Sequence, residues 1–330
     1  MTPRTCRSAW RIRRSLRKPL PSQVLMSDHC AQLSWTASPF STWIEISGPS
    51  HLRFIQGLCT NDVVVLESGS GCEAFFPTVQ GKILAHGFVY KSDDRLEFLG
   101  LGDQSPGLLP HLQKYSMIED VEVNDRSTQG NAIFVWGEGL EACLQELLGS
   151  EVTLGTSQHG TITWEGATLR LFRISVVGKP SVEIRGEQAE AFGTRLSECG
   201  ATSVGIEVFQ RDRIVNRFPW HGVDISAEHL AQEANRDDLA ISFKKGCYLG
   251  QETIARIDAL GHVNKKLVAV QLPKQVEELP LAIKVEEKEV GQVVSAAELD
   301  GQTRGLAMIR RSHNAAGTKI ECELGTVEVL

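Results

Sequence analysis

From Asn264 onward the chain stops mixing helix and strand patterns. Lys266–Gln271, Ile283–Val285, Val290–Ser295, Gly305–Ile309 and Thr318–Val329 read as short strands separated by turn residues. That texture belongs to a small β-barrel or sandwich with its own core. It places a boundary near Gly261–Asn264. Upstream, strands and helices are mixed. Ser41–Ser47 alternates as a strand, and Gly48-Pro49-Ser50 turns into a short helix that stops at Gly57. Phe75–Thr78 and Lys82–Tyr90 flank the Gln80-Gly81 turn, and Arg95–Leu101 returns across 91–94. Leu108–Tyr115 reads as a helix. A second alternation follows, with strands at Ala132–Trp136 and Leu169–Val177 and helices at Leu140–Leu148 and Gln188–Glu198. Hairpins rather than regular βαβ crossovers predict an α+β fold.

Charge divides the chain differently. Residues 1–26 hold Arg4, Arg7, Arg11, Arg13, Arg14, Arg17 and Lys18 and no acid. The whole chain carries −7, so the body at 27–330 stands near −14. A body this acidic argues against direct nucleic-acid binding, which rests on clustered Lys and Arg. No apolar run is long enough to span a bilayer, so no membrane partner is expected. The leader reads as a disordered tail, as an extension ahead of a true start at Met26, or as a transit peptide. The location is cytoplasmic if the source is bacterial and the mitochondrial matrix if the leader is a transit peptide. The expected organisation is thus a leader at 1–26, an α+β region at 27–263 and a barrel at 264–330.

The chemistry concentrates in Lys245-Gly246-Cys247-Tyr248-Leu249-Gly250-Gln251-Glu252. Two glycines bracket a thiol, and glycine lets a ligand approach the main chain closely. A thiol acts as nucleophile or ligand only as thiolate, which nearby cations such as Lys244 and Lys245 favour. The alternative is a buried structural cysteine in a tight turn. The eight cysteines (Cys6, Cys30, Cys59, Cys72, Cys143, Cys199, Cys247, Cys322) form no C-x-x-C pair and no zinc spacing, so no metal site is expected. Without a secretory signal they are expected to be reduced. There is no Walker loop, no dinucleotide fingerprint and no G-x-S-x-G.

The octapeptide matches the K-G-C-[FY]-x-G-Q-E signature of the YgfZ-type folate-binding proteins, relatives of the glycine-cleavage T-protein. The chain resembles that family from about Trp43 to the C-terminus, most densely at Phe54–Asp62, Gly81–Tyr90 and Arg213–Arg256. The resemblance implies two α+β lobes around a central folate cavity, followed by the barrel. It implies tetrahydrofolate or another reduced folate as cofactor, and iron–sulfur client or assembly proteins as partners. Glu233 is similar to a pterin-contacting glutamate in an L-P-x-E pattern, although Ala231 replaces the proline. Tyr248, Gln251, Glu252 and Arg256 are implied to position the loop or contact folate. Asn61 and Asp62, in F-I-Q-G-L-C-T-N-D, read mainly as loop caps that can edge the cavity.

Two departures stand out. Arg213-Ile214-Val215-Asn216-Arg217-Phe218-Pro219 resembles R-I-E-x-G-x-P but has Val215 for glutamate and Arg217 for glycine. Gly81–Tyr90 resembles the T-protein segment G-G-I-L-D-D-x-x-V-Y, with Ala85 and His86 where the carboxylates stand. His86 is either an acid–base group or a strand residue satisfied by a neighbour. The missing carboxylates argue against ordinary aminomethyl transfer. Three functions fit the sequence: a folate-dependent accessory protein with Cys247 as the reactive thiol beside Lys245, a true folate-dependent transferase, or a scaffold that binds no folate.

Overall fold

The structure, a computed structural model, describes residues 28–149, 154–276 and 278–330. The basic leader lies outside the described residues.

The chain opens with β1 (Ser34–Ala37) and β2 (Thr42–Ser47), then α1 (His51–Gln56), which ends at Gly57 as the sequence predicts. β3 (Gly71–Pro77), β4 (Ile83–Lys91) and β5 (Arg95–Gly100) form a meander, followed by α2 (Ser105–Ser116) and β6 (Glu122–Asp125). These make a five-stranded sheet ordered β3-β4-β5-β2-β6. β7 (Asn131–Trp136), α3 (Leu140–Leu148), β8 (His159–Trp164), β9 (Ala167–Arg173), β10 (Ser181–Gly186), α4 (Ala189–Glu198) and β11 (Thr202–Ser203) build the second lobe. Its sheet runs β11-β1-β7-β10-β9-β8, so β1 crosses over from the start of the chain.

α5 (Ile206–Val215) leads into a long loop that holds a 3-10 turn at Ala231–Ala234, then α6 (Asp237–Ala240) and α7 (Gln251–Leu260). Gly261 ends α7 in the left-handed region at φ 70°. β12 (Lys265–Leu272), β13 (Leu281–Val285), β14 (Lys288–Leu299), β15 (Gln302–Arg310), β16 (Lys319–Cys322) and β17 (Gly325–Val329) follow. Their order is β13-β14-β15-β12-β17-β16, and the edge strands β13 and β16 approach each other, so the sheet is a nearly closed barrel. The expected single strand at Thr318–Val329 is a hairpin instead. Glu323 and Leu324 turn it, and Gly325 at φ 106° re-enters the sheet.

The fold is therefore α+β with a C-terminal β-barrel. The two lobe sheets meet over an aromatic core that includes Phe88, Tyr90, Phe134, Phe172, Phe209 and Phe218. Burying each such ring contributes roughly 1.5–3 kcal/mol, so this seam carries much of the interlobe stability. A buried ion pair fastens the loop after α5 to the barrel. Arg213 Nη1 donates to Asp224 Oδ2 at 2.6 Å, and Nη2 donates to Ser295 Oγ of β14 at 3.0 Å.

One expectation about the thiols fails. Cys30 and Cys143 are joined as a disulfide, with Cα atoms 5.3 Å apart. The 3-10 turn at Cys30–Gln32 packs against α3, and both residues belong to the second-lobe core. Tertiary packing brings them together across 113 residues, which no local spacing reveals.

Candidate functional site

The octapeptide and the Phe54–Asp62 motif are strapped together. Ser242 N donates to Thr60 O at 3.0 Å and Leu249 N to Gly57 O at 2.9 Å. Thr60 Oγ1 donates to Ala240 O at 2.6 Å, and Asn61 Nδ2 to Leu239 O at 2.9 Å. Asn61 Nδ2 also donates to Glu73 O at 2.8 Å. Asp62 Oδ1 accepts from Gln56 Nε2 at 3.0 Å and from Val64 N at 3.2 Å. Asn61 and Asp62 thus spend their side chains on loop geometry.

Lys245 lies beneath the loop, 7% exposed. Its Nζ donates to Cys59 O at 2.9 Å and Asn61 O at 2.6 Å, and it stands 3.9 Å from Cys59 Sγ. It also sits 5.1 Å from the Tyr248 ring centre. Burial pulls its pKa down, against the pull of Cys59 and Asp62. The bonded partners of this ammonium are on the 59–61 turn. Cys59 is fully buried, and burial pushes its thiol up. Burial likewise pushes the Tyr248 phenol up to about 12.

Gly246 and Cys247 stand exposed above this anchor. Gly250 closes the loop at φ 81°, with Thr78 O only 2.3 Å from where a Cβ would sit. Gln251 Oε1 accepts from Tyr248 N at 3.4 Å, while Glu252 and Arg256 are exposed on α7. The signature therefore separates one outward thiol from a ring of buried supports.

His86 belongs to another cluster. It is 1% exposed on β4, between the rings of Phe75 at 4.6 Å and Phe218 at 5.2 Å. Its Nε2 meets Glu73 Oε1 at 2.7 Å. Arg236 grips the same carboxylate through Nε at 2.8 Å and Nη2 at 2.5 Å. Burial opposes the Glu73 charge, but the bonds from Arg236 and His86 hold its pKa below the ordinary value. His221 lies close by, with a buried Nε2 that finds no partner among the described residues. Burial and the field of His86 push its pKa down to about 4.

Glu233, predicted to contact folate, lines a cavity. This cavity, about 840 Å³, lies between 222–233 and the barrel. Glu233 is 6% exposed, and its Oε2 accepts from Leu230 N at 3.0 Å. That bond fixes the turn without the proline that Ala231 replaces. Burial raises the Glu233 pKa. Lys265, Arg310 and Arg311 line the same cavity; the charge of Lys265 acts against the rise at Glu233, and none of the three forms an ion pair among the described residues. Gln232 Nε2 donates to Ile254 O at 2.9 Å, tying the turn to α7.

Arg217 has φ 60°, the left-handed region that favours glycine, and its side chain is exposed. The glycine of the family pattern is thus a backbone requirement that this chain meets at some strain. Glu73, Arg236, Lys265, Arg310 and Arg311 escaped sequence reasoning. A charged residue in an apolar strand, as at Glu73, was the one signal available. Nothing local pairs it with Arg236, 163 residues away.

The fold is that of the GCVT class. The GCVT N-terminal domain family matches residues 37–245, and the chain belongs to that family. It is 26% identical over 302 residues to the tRNA-modifying protein YgfZ of Pectobacterium carotovorum, covering 85% of this chain and 84% of that one. It is 24% identical over 240 residues to the mitochondrial iron-sulfur cluster assembly factor IBA57 homolog of Mycosarcoma maydis, covering 68% of this chain and 54% of that protein. The solved structure of glycine cleavage system aminomethyltransferase T from Bartonella henselae superposes with a TM-score of 0.81 at 15% identity, covering 91% and 86% of the two chains.

Proposed function

We propose that the chain is a reduced-folate-binding accessory protein for iron–sulfur protein maturation or for tRNA modification that depends on it. The observation that carries this reading is the cavity beside Glu233. A tetrahydrofolate presents hydrogen-bond donors on its pterin edge and carboxylates on its tail. A half-committed buried carboxylate that shares a cavity with three cations, none ion-paired among the described residues, is complementary to both ends. The residues present therefore fit the group. When bound, the folate would supply one-carbon chemistry, while Glu233 would orient the pterin and Lys265, Arg310 and Arg311 would hold the carboxylates.

The relatives named for tRNA modification and cluster assembly support the accessory role. Cys247, the exposed thiol of the signature, is its reactive group toward a partner. Arg256 and Glu252, exposed on the adjoining helix, belong to the partner-facing side. A second reading, aminomethyl transfer, is favoured by the family and fold. The burial of His86 against Glu73, in place of a free carboxylate, weighs against it.

Isothermal titration with tetrahydrofolate tests the reading. Saturable binding is expected in the wild type and is weakened at least about tenfold in Glu233→Gln, the loss of one charge-assisted bond. No heat in the wild type overturns folate binding. Complementation of a deletion strain tests the thiol: full rescue of iron–sulfur enzyme activity by Cys247→Ala overturns its role.

A further inference from the structure

A second groove, of about 430 Å³, lies where residues of the two lobes meet. Trp43 of the first lobe, Arg170 of β9 and Arg185 of β10 line it. These two arginines are direct cross-strand partners. Like charges directly opposite each other in a sheet are destabilising, so the pairing needs compensation. Each guanidinium has an acidic neighbour. Arg170 bonds Glu97, and Arg185 Nη2 lies 2.7 Å from Glu183 Oε1 while also donating to the Phe40 carbonyl. The compensation is incomplete, because the Nε of each finds no acceptor among the described residues. Arg185 is 4% exposed and stacks 5.3 Å from the Trp43 ring centre. Burial also pushes the Glu183 carboxyl up to about 7, so near neutrality it only partly offsets its arginine.

The rest of the groove is small and open. Gly130, Ala167 and Gly186 line it without bulk, and Thr168 stands exposed at its edge. Glu187, exposed at the rim, disfavours a polyanion. The groove thus offers two arginines, each with an Nε donor that finds no acceptor among the described residues, beside an indole, on a body near −14.

We propose that this groove is a second small-molecule site, for a ligand bearing one oxyanion, carboxylate or phosphate, on a flat apolar body. The oxyanion meets the free Nε groups of the Arg170–Arg185 pair, and the flat body lies against the edge of the Arg185–Trp43 stack. The volume lies within the range of small-ligand sites. The proposal is independent of folate binding at Glu233.

Titration calorimetry of the full chain with benzoate, phenyl phosphate and neutral benzamide tests it. At least one of the two anions binds saturably, and which of them binds more tightly assigns the oxyanion. Benzamide binds at least about tenfold more weakly, the cost of losing a charge-assisted contact. Thr168→Trp, an exposed strand position that tolerates an aromatic, fills the groove and abolishes binding. Arg170→Gln weakens it at least about tenfold, and Glu233→Gln leaves it unchanged. Absence of saturable binding by both anions, equal binding of benzamide, or full binding by a folded Thr168→Trp protein each overturns the proposal. Should Arg170→Gln fail to fold, Thr168→Trp still decides. Loss of anion binding in Glu233→Gln would assign the ligand to the other cavity and also overturn it.

Discussion

The Lys245 ammonium is 2.6 Å from the backbone carbonyl oxygen of Asn61. Together with the bond to Cys59 O, this makes the lysine of the signature a strut between two motifs that are 184 residues apart. A charged donor to two buried carbonyls cannot be deleted cheaply, because both acceptors lose their partner. Lys245→Ala is expected to lower unfolding free energy by about 2–4 kcal/mol in urea titration. Cys247→Ala, at an exposed position, is expected to change it by less than about 0.5 kcal/mol. Equal stability of the two variants would refute the strut.

The two glycines of the octapeptide should behave in opposite ways. A Cβ on Gly250 meets Thr78 O at 2.3 Å, in a backbone conformation with φ 81°. A Cβ on Gly246 meets nothing within 4 Å. Gly250→Ala is therefore expected to cost at least about 2 kcal/mol, and Gly246→Ala to stay within about 0.5 kcal/mol. Melting temperatures of the two variants check this, and comparable losses would contradict the geometry.

Much of this arrangement is legible in the sequence. The hairpin around Gly81, the α1 stop at Gly57 and the run of barrel strands were all written in local pattern, because turn chemistry and period-two alternation act within a few residues. The exposure of Cys247 beside two glycines was likewise suggested locally. The direction of Lys245 was not. Proximity in sequence pointed its charge at Cys247, whereas its bonds go to Cys59 and Asn61. The same limit hid Arg236 behind Glu73 and the pairing of Arg170 with Arg185. Short-range pattern identifies which residues are unusual, and tertiary register decides what they touch.

Two buried titrations act in opposite senses on stability. His221 is pushed down to about 4 from 6.5, so the unfolded chain takes up its proton first on acidification. Its contribution is complete above about 6.5 and is lost as pH falls toward 4. Glu183 is pushed up to about 7 from 4.5, so the native state holds that proton longer. Its contribution is complete below about 4.5 and is lost as pH rises to 7. Between these limits the two slopes oppose each other. Glu183→Gln should leave a stability that climbs with pH from 5 to 7 more steeply than wild type, by about 1–3 kcal/mol across the window. The absolute stability of that variant should also fall, since Arg185 loses its acidic neighbour. Chemical denaturation at several pH values reads both effects, and parallel profiles for variant and wild type would refute the assignment.

The Cys30–Cys143 bond makes the second lobe sensitive to reductant. It closes a span of 113 residues between two buried positions, which restricts the unfolded chain strongly. Cys143→Ala, or treatment with dithiothreitol, is expected to lower stability by about 2–4 kcal/mol. The cost should fall on the core that holds Leu33, Leu140 and Phe192, because those side chains share one buried cluster with both cysteines. Hydrogen exchange localises the loss: faster exchange in α3 and β7, with the barrel unchanged, is the expected result. Under non-reducing conditions, peptide mapping should recover residues 30 and 143 in one cross-linked species. Recovery of both as free thiols from unreduced protein would show that the bond does not form, and the stability of Cys143→Ala would then match a plain cavity-sized loss.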